Sequence, residues 1–158
     1  MVLIIRRVEF CASHRLHNPN FPDAKNDAIY GKCNNPNGHG HNYVLEVTVG
    51  GRVDPQTGMV MDLKQLKALL DEVVVEKVDH KHLNLDVDFM EGVIPTAENI
   101  VVGLWFLVKP RLPRGCKLVE MKLWESENNI AVYRGDGAKL VRHTKTAKKT
   151  KRAAVRAR

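Results

Sequence analysis

Apolar side chains recur mostly with period two at the start of the chain. Val2, Ile4, Arg6, Val8, Phe10, Ala12 and His14 fall on even positions. Only the arginine and the terminal histidine break an apolar row, and period two over that length predicts a half-buried strand. From Leu16 to Gly40 the pattern dissolves into Asn, Pro, Gly and Asp, which reads as a long loop, and loops of that length inside a compact domain are often functional. Alternation resumes near His39: His39, His41, Tyr43, Leu45, Val47 and Val49 share one face of a second strand. Asp54 to Gly58 is a turn, and Met59 to Met61 reads as a short extended piece.

The period then changes to that of a helix. Asp62 stands in capping position with Gln65 three residues on, followed by a stripe of Leu63, Leu66, Leu69, Leu70, Val73 and Val74. Asp79 to Glu91 is largely polar. Thr96 caps a second expected helix, with Ile100, Val101, Leu104 and Val108 inward and Pro110 at its end. Lys117 to Trp124 predicts a third strand with Val119, Met121, Leu123 and Glu125 on one side. Ile130 to Tyr133 predicts a fourth, after a turn at Asn128-Asn129. The order β-β-α-α-β-β implies an α+β fold, an antiparallel sheet with two helices packed on one face.

Charge divides the chain in two. The net charge is +7, yet nine of the 25 basic residues lie in 139–158, which contains no acid. The first 138 residues carry the other 16 against all 18 acids, a net of −2. The expected organisation is one domain over 1–138 and a basic, disordered tail over 139–158. A nucleic-acid-binding role for the folded part is therefore not expected, and tail contacts with polyanions would be weak and salt-sensitive. No run of 18 apolar residues is present, so no membrane span is expected. The three cysteines, Cys11, Cys33 and Cys116, are odd in number and far apart. Reduced thiols and a cytoplasmic protein are the expectation. Cys11 and Cys116, in or beside strands, read as packing residues.

Two features carry chemistry. His39-Gly40-His41 places two imidazoles at i and i+2 on one strand face, roughly 7 Å apart along it. Gly40 gives the backbone room beside an ion. His14, ending the first strand in phase with Phe10 and Val8, is the natural third ligand, leaving an open fourth position as in catalytic zinc. On these residues alone, a metal site and ordinary sheet histidines remain equally good readings. His17, His82 and His143 read as solvated. Cys33 sits among Asn, Pro and Gly, poor company for a buried thiol, and so reads as functional. Glu125 is left open between a salt-bridged carboxylate and a binding group. Glu98, in the first turn of a helix, needs no explanation beyond the helix dipole.

The run from Cys33 through Asn34-Asn35-Pro36-Asn37-Gly38 to His39-Gly40-His41-Asn42-Tyr43 resembles the signature of the 6-pyruvoyltetrahydropterin synthase family. Ala12-Ser13-His14-Arg15-Leu16, Asp54-Pro55 with Thr57-Gly58-Met59-Val60, Asp79-His80-Lys81, and Glu125 with Asn128-Asn129 extend the likeness over about residues 5–136. The resemblance implies the tunnelling fold, in which the sheets of several subunits join into a barrel. It implies a homohexamer built as a dimer of trimers. It implies one Zn2+ per subunit on His14, His39 and His41, with a further Mg2+ left open. Cys33 would be the catalytic thiol and Asp79 with His80 its relay, supplied by a neighbouring subunit. Glu98 would lie near the pterin and Glu125 would anchor it.

The implied reaction converts 7,8-dihydroneopterin triphosphate to 6-pyruvoyl-tetrahydropterin and triphosphate, a lyase step of tetrahydrobiopterin biosynthesis. The alternative is a sister activity, the 6-carboxytetrahydropterin synthase of queuosine biosynthesis. Its cysteine usually has three residues between it and His-Gly-His, whereas five separate Cys33 from His39. Two positions depart from the family pattern: Cys11 where Ser is common, and Ala97 where Thr is common.

Overall fold

In the computed structural model the described residues are 1–143. They form a five-stranded sheet in the order β3-β1-β2-β4-β5. The long strands are β1 (Val2–His14) and β2 (His39–Gly51), paired antiparallel along their whole length from Val2 opposite Gly51 to His14 opposite His39. β4 (Lys117–Trp124) and β5 (Ile130–Tyr133) continue the antiparallel sheet. All four expected strands are present at their expected places.

Between β1 and β2 the expected loop holds a helix, α1 (Asp23–Tyr30), and a 3-10 turn, Gly31–Asn34. α1 has no apolar stripe to announce it, and Asn26 is its only buried residue. Asn26 is held by bonds to the Asn18, Phe21 and Pro22 carbonyls. A helix packed through amide hydrogen bonds leaves no 3.6-residue signal, which is why the pattern misses it. A second omission is β3 (Lys81–His82), which pairs parallel with Ala12 and Ser13. It lies in the stretch expected to be polar, where Leu83, Val87 and Met90 are in fact buried. Met59 to Met61 joins no strand.

α2 (Leu63–Leu70) starts at Asp62, whose carboxylate accepts from the Lys64 N–H. It runs on through a π-turn, Asp71–Val75, into the short α3 (Glu76–Val78). Leu66, Leu70, Val73 and Val74 face the core, but Leu63 is exposed because the chain has only just reached the sheet there. α4 (Ala97–Val108) starts at Thr96, whose hydroxyl accepts from the Asn99 N–H. Ile100, Val101, Leu104 and Val108 are all buried. Together α2 and α4 cover the face of the sheet that carries Val8, Phe10, Tyr43, Leu45, Val47 and Met121.

One correction follows from a β-bulge. Thr48 pairs with Glu120 and Val49 with Leu118, so Val119 is the extra residue. The bulge swaps the faces: Leu118 is buried and Val119 is not. Beyond the bulge Met121 and Leu123 point inward as expected. No described helix is long and apolar enough to cross a membrane. Of the basic tail, residues 139–143 are described and return to the domain. Leu140 packs on the core, Arg142 bridges to Val93, and the His143 N–H donates to the Gly92 carbonyl.

Candidate metal centre and active site

His14 and His39 are direct cross-strand partners, and His41 lies two residues along the same face of β2. Directly opposed side chains on one face have Cβ atoms about 5 Å apart, and i, i+2 side chains are neighbours, so the pairing alone brings three imidazoles together. The ring centroids are 4.5 Å apart for His14 and His39, 5.2 Å for His14 and His41, and 5.0 Å for His39 and His41. One nitrogen from each ring lies within 4.8 Å of the other two, an arrangement that could hold a metal ion.

Each ring is prepared for that role. His14 is fully buried, and its Nδ1 lies 2.7 Å from the Pro95 carbonyl. A carbonyl only accepts, so Nδ1 carries the proton and Nε2 presents its lone pair to the cluster. Burial pushes the His14 pKa down to about 4, with the neighbouring imidazoles adding to the depression. Burial also lowers His39, with His41 beside it contributing. Neutral imidazole is the form that binds metal. His39 Nδ1 and His41 Nε2 are buried polar atoms without a hydrogen-bond partner among the described residues. Buried imidazole nitrogens left bare are costly, and a bound cation would satisfy them. The donor set and its unpaired atoms fit a divalent metal ion.

Tyr43, the next residue on the same face, closes the floor of the cluster. Its ring meets His14 and His41 edge-on, and its hydroxyl lies 3.4 Å from the His14 ring nitrogens. Burial raises its pKa, with Glu125 and Cys33 reinforcing the shift, so it stays a phenol. Tyr43 belongs to the alternating row but carries no metal-binding group, and composition singles it out only as core.

Glu125 follows the end of β4, and its Oε1 lies 3.7 Å from His14 Nε2. It shares a groove of about 620 Å3 with Glu98, Thr96, Asn128 and Asn129. The two carboxylates expected near a pterin thus line one space. Cys33 lies in the 3-10 turn before β2, on a hollow it shares with Asp27, Asn34, Pro36 and His39. The thiol loop therefore shares a hollow with one imidazole of the cluster, His39.

Asp79 and His80 are elsewhere in the chain, beside Cys11. The Asp79 carboxylate accepts from the Cys11 N–H at 2.8 Å, and the His80 N–H donates to the Cys11 carbonyl at 2.6 Å. The Cys11 N–H, more than the adjoining His80, holds the Asp79 carboxyl below its usual range. Asp79 Oδ2 accepts from His80 Nδ1 at 2.8 Å, and His80 is held at a φ of 56°, with its ring turned out to solvent. No bond joins this pair to Cys33 among the described residues.

Cys116 is half-buried against the core, in keeping with a packing residue, but several other expectations are corrected. Cys11 is exposed, since odd positions of β1 point away from the helices. His17 is not solvated: its Nδ1 donates to Asn34 Oδ1 at 2.9 Å. His82 is half-buried in β3, where its Nδ1 accepts from the Asn84 N–H. Half-buried His143 lines a 280 Å3 cavity with Arg15, His17 and His82. Gly40 makes room against the Ala12 carbonyl, 3.2 Å from where its Cβ would stand, and not beside the imidazoles. Gly38 is the more constrained glycine, with φ 72° and His82 and the His14 carbonyl within 3.0 Å of a built Cβ.

A family model described as 6-pyruvoyl tetrahydropterin synthase matches residues 3–136. A protein of Homo sapiens named 6-pyruvoyl tetrahydrobiopterin synthase is 47% identical over 133 residues, covering 84% of this chain and 91% of that one. A relative of the same name from Drosophila melanogaster is 42% identical, covering 85% and 80%. The solved structure of Caenorhabditis elegans 6-pyruvoyl tetrahydropterin synthase superposes with a TM-score of 0.80 at 40% identity, covering 85% of this chain and 95% of that one.

Proposed function

The chain belongs to the 6-pyruvoyl tetrahydropterin synthase family, and from that premise we propose that it is a zinc-dependent lyase converting 7,8-dihydroneopterin triphosphate to 6-pyruvoyl-tetrahydropterin and triphosphate. The observation that carries this reading is the convergence of three imidazoles from two paired strands, with a cysteine loop on a hollow shared with one of them. His14, His39 and His41 would hold one Zn2+ per subunit. The bound ion would act as a Lewis acid, polarising the substrate's side-chain oxygens so that the adjacent carbon-bound protons become acidic.

The chain's own groups do the rest. Glu125 and Glu98 take the amino and ring N–H groups of the pterin, a charge-assisted pairing that fixes the ring. Cys33, as a thiolate, takes a proton from the carbon beside the hydroxyl group. Hydrogen removed at the side chain returns to the pterin ring, and loss of a second proton expels triphosphate, so no external reductant is needed. Asp79 and His80 serve as the relay for the Cys33 of a neighbouring subunit. Their anchorage at Cys11, with the imidazole turned outward, supports a role between subunits over one within the protomer. The assembly this requires is the homohexamer, a dimer of trimers. The catalytic domain is 1–138, the basic segment 139–158 is an addition to it, and the three free thiols support a cytoplasmic setting.

The test is turnover of dihydroneopterin triphosphate by the pure protein, with triphosphate measured and the product weighed by mass spectrometry. Cys33→Ala should keep its metal and lose most turnover, whereas His39→Ala should lose both. Full activity in Cys33→Ala would remove the thiol from the mechanism.

A further inference from the structure

Asn34, the residue after Cys33, is buried. Its main-chain carbonyl accepts from Arg15 Nε at 2.9 Å. Its side-chain oxygen accepts from Arg15 Nη2 at 2.9 Å and from His17 Nδ1 at 2.9 Å. Its side-chain nitrogen donates to Asp27 Oδ1 at 2.7 Å. The amide thus spans a charge gradient, with a guanidinium on the oxygen side and a carboxylate on the nitrogen side. A flipped amide would set its oxygen against the carboxylate and its N–H groups against the guanidinium, so one orientation is enforced.

Arg15 is itself fixed at both ends of its backbone, because its N–H donates to Asn84 Oδ1 at 2.8 Å and its carbonyl accepts from Asn84 Nδ2 at 2.9 Å. The Leu16 N–H donates to the Cys33 carbonyl at 2.9 Å. Since Arg15 directly follows His14, the chain of bonds ties the 3-10 turn to the strand end that carries a histidine of the metal cluster. Arg15 has no carboxylate within ion-pair distance among the described residues. Its half-buried charge is spent on orienting Asn34, with Asp27 on the far side of the amide.

We infer that Asn34, clamped between Arg15 and Asp27, is the positioning residue that aims the Cys33 thiol at the reacting carbon. This rests on the reading of Cys33 as the proton-transferring group. Transfer of a proton from carbon needs the base within hydrogen-bond reach and alignment, and a misplacement of about 1 Å costs roughly 10²-fold in rate. A thiol on a turn bounded by Gly31, Pro36 and Gly38 has no such precision of its own. The amide clamp supplies it.

The test exploits the polarity of the clamp. Asn34→Asp is nearly isosteric but sets a second carboxylate against Asp27, so the turn should swing away. The expected result is a fall in kcat of about 10²-fold with KM and metal content kept. Adding Asp27→Asn restores a donor opposite the new carboxylate, and the double variant should regain turnover to within about threefold of the parent. A second readout does not depend on turnover: the rate of Cys33 alkylation by iodoacetamide, resolved by peptide mass, with Cys11 as the internal reference. It should change at least about fivefold in Asn34→Asp and return in the double variant. If Asn34→Asp folds with unchanged kcat and alkylation, or if a folded double variant recovers neither, the clamp does not position the thiol. If the parent shows no turnover yet the alkylation pattern holds, the clamp stands and the lyase reading falls.

Discussion

Burial makes the stability of the fold pH-dependent through His14. Its folded pKa, about 4, lies below the 6.5 of the unfolded state, so the unfolded chain binds the proton first as pH falls. Stability from a neutral buried His14 is thus fully present above about pH 6.5 and lost towards pH 4. The metal-free protein should be about 2 kcal/mol less stable to urea at pH 5 than at pH 7. Equal urea midpoints would mean that His14 is not held neutral in the fold. His39 is lowered in the same direction and would add to the loss. At this scale the metal set was legible, because His14, His39 and His41 stand in phase with apolar rows whose faces are set by period two. The Pro95 carbonyl that fixes the His14 tautomer was not. It reaches His14 across 81 residues of chain, and any residue type offers a carbonyl there.

Elements whose apolar faces meet the sheet were equally readable. α2 and α4 present stripes at helical spacing, and each is capped by the residue in capping position. The stripe on α2 nonetheless overstates its own burial. Leu66→Ala should cost 2–5 kcal/mol, by the cavity it leaves, whereas Leu63→Ala should stay within about 0.5 kcal/mol. Urea midpoints of the two variants separate these outcomes, and similar losses in both would mean that Leu63 is covered. α1 and β3 escaped the pattern for a shared reason. α1 is held by Asn26 and its carbonyl partners, and β3 joins the sheet by only two residues. Neither buries enough apolar surface to leave a periodic trace. The bulge at Val119 is a further case, since one extra residue exchanges faces without altering composition.

On the scale of the whole molecule, the described residues cover the sheet on one side only. Leu3 and Ile5 of β1 and Ile130 and Val132 of β5 are exposed on the side away from the helices. β3 covers only Ala12 and Ser13, so most of β1 also has an open edge. Open edges and a bare apolar face invite other strands. The hexamer proposed above would close both. Ile5→Glu should then shift the mass measured by light scattering from six chains to one or a few. Loss of turnover with the three-histidine site still loaded should accompany it, because Asp79 and His80 would no longer meet a neighbour's Cys33. An unchanged mass would place the assembly contacts elsewhere.

Alternation and helical spacing by themselves determined the four main strands, the two helices on the sheet and the phase of the three histidines. These are local periodicities, imposed on the sequence by which side of each element faces water. Tertiary structure alone decided that His14 stands opposite His39, that Glu98 and Glu125 share a groove, and that Asp79 and His80 attach at Cys11 and not at Cys33. It also decided the clamp on Asn34. Such contacts join residues distant in the chain through single polar atoms. A lone hydrogen bond imposes no period on the residues around it.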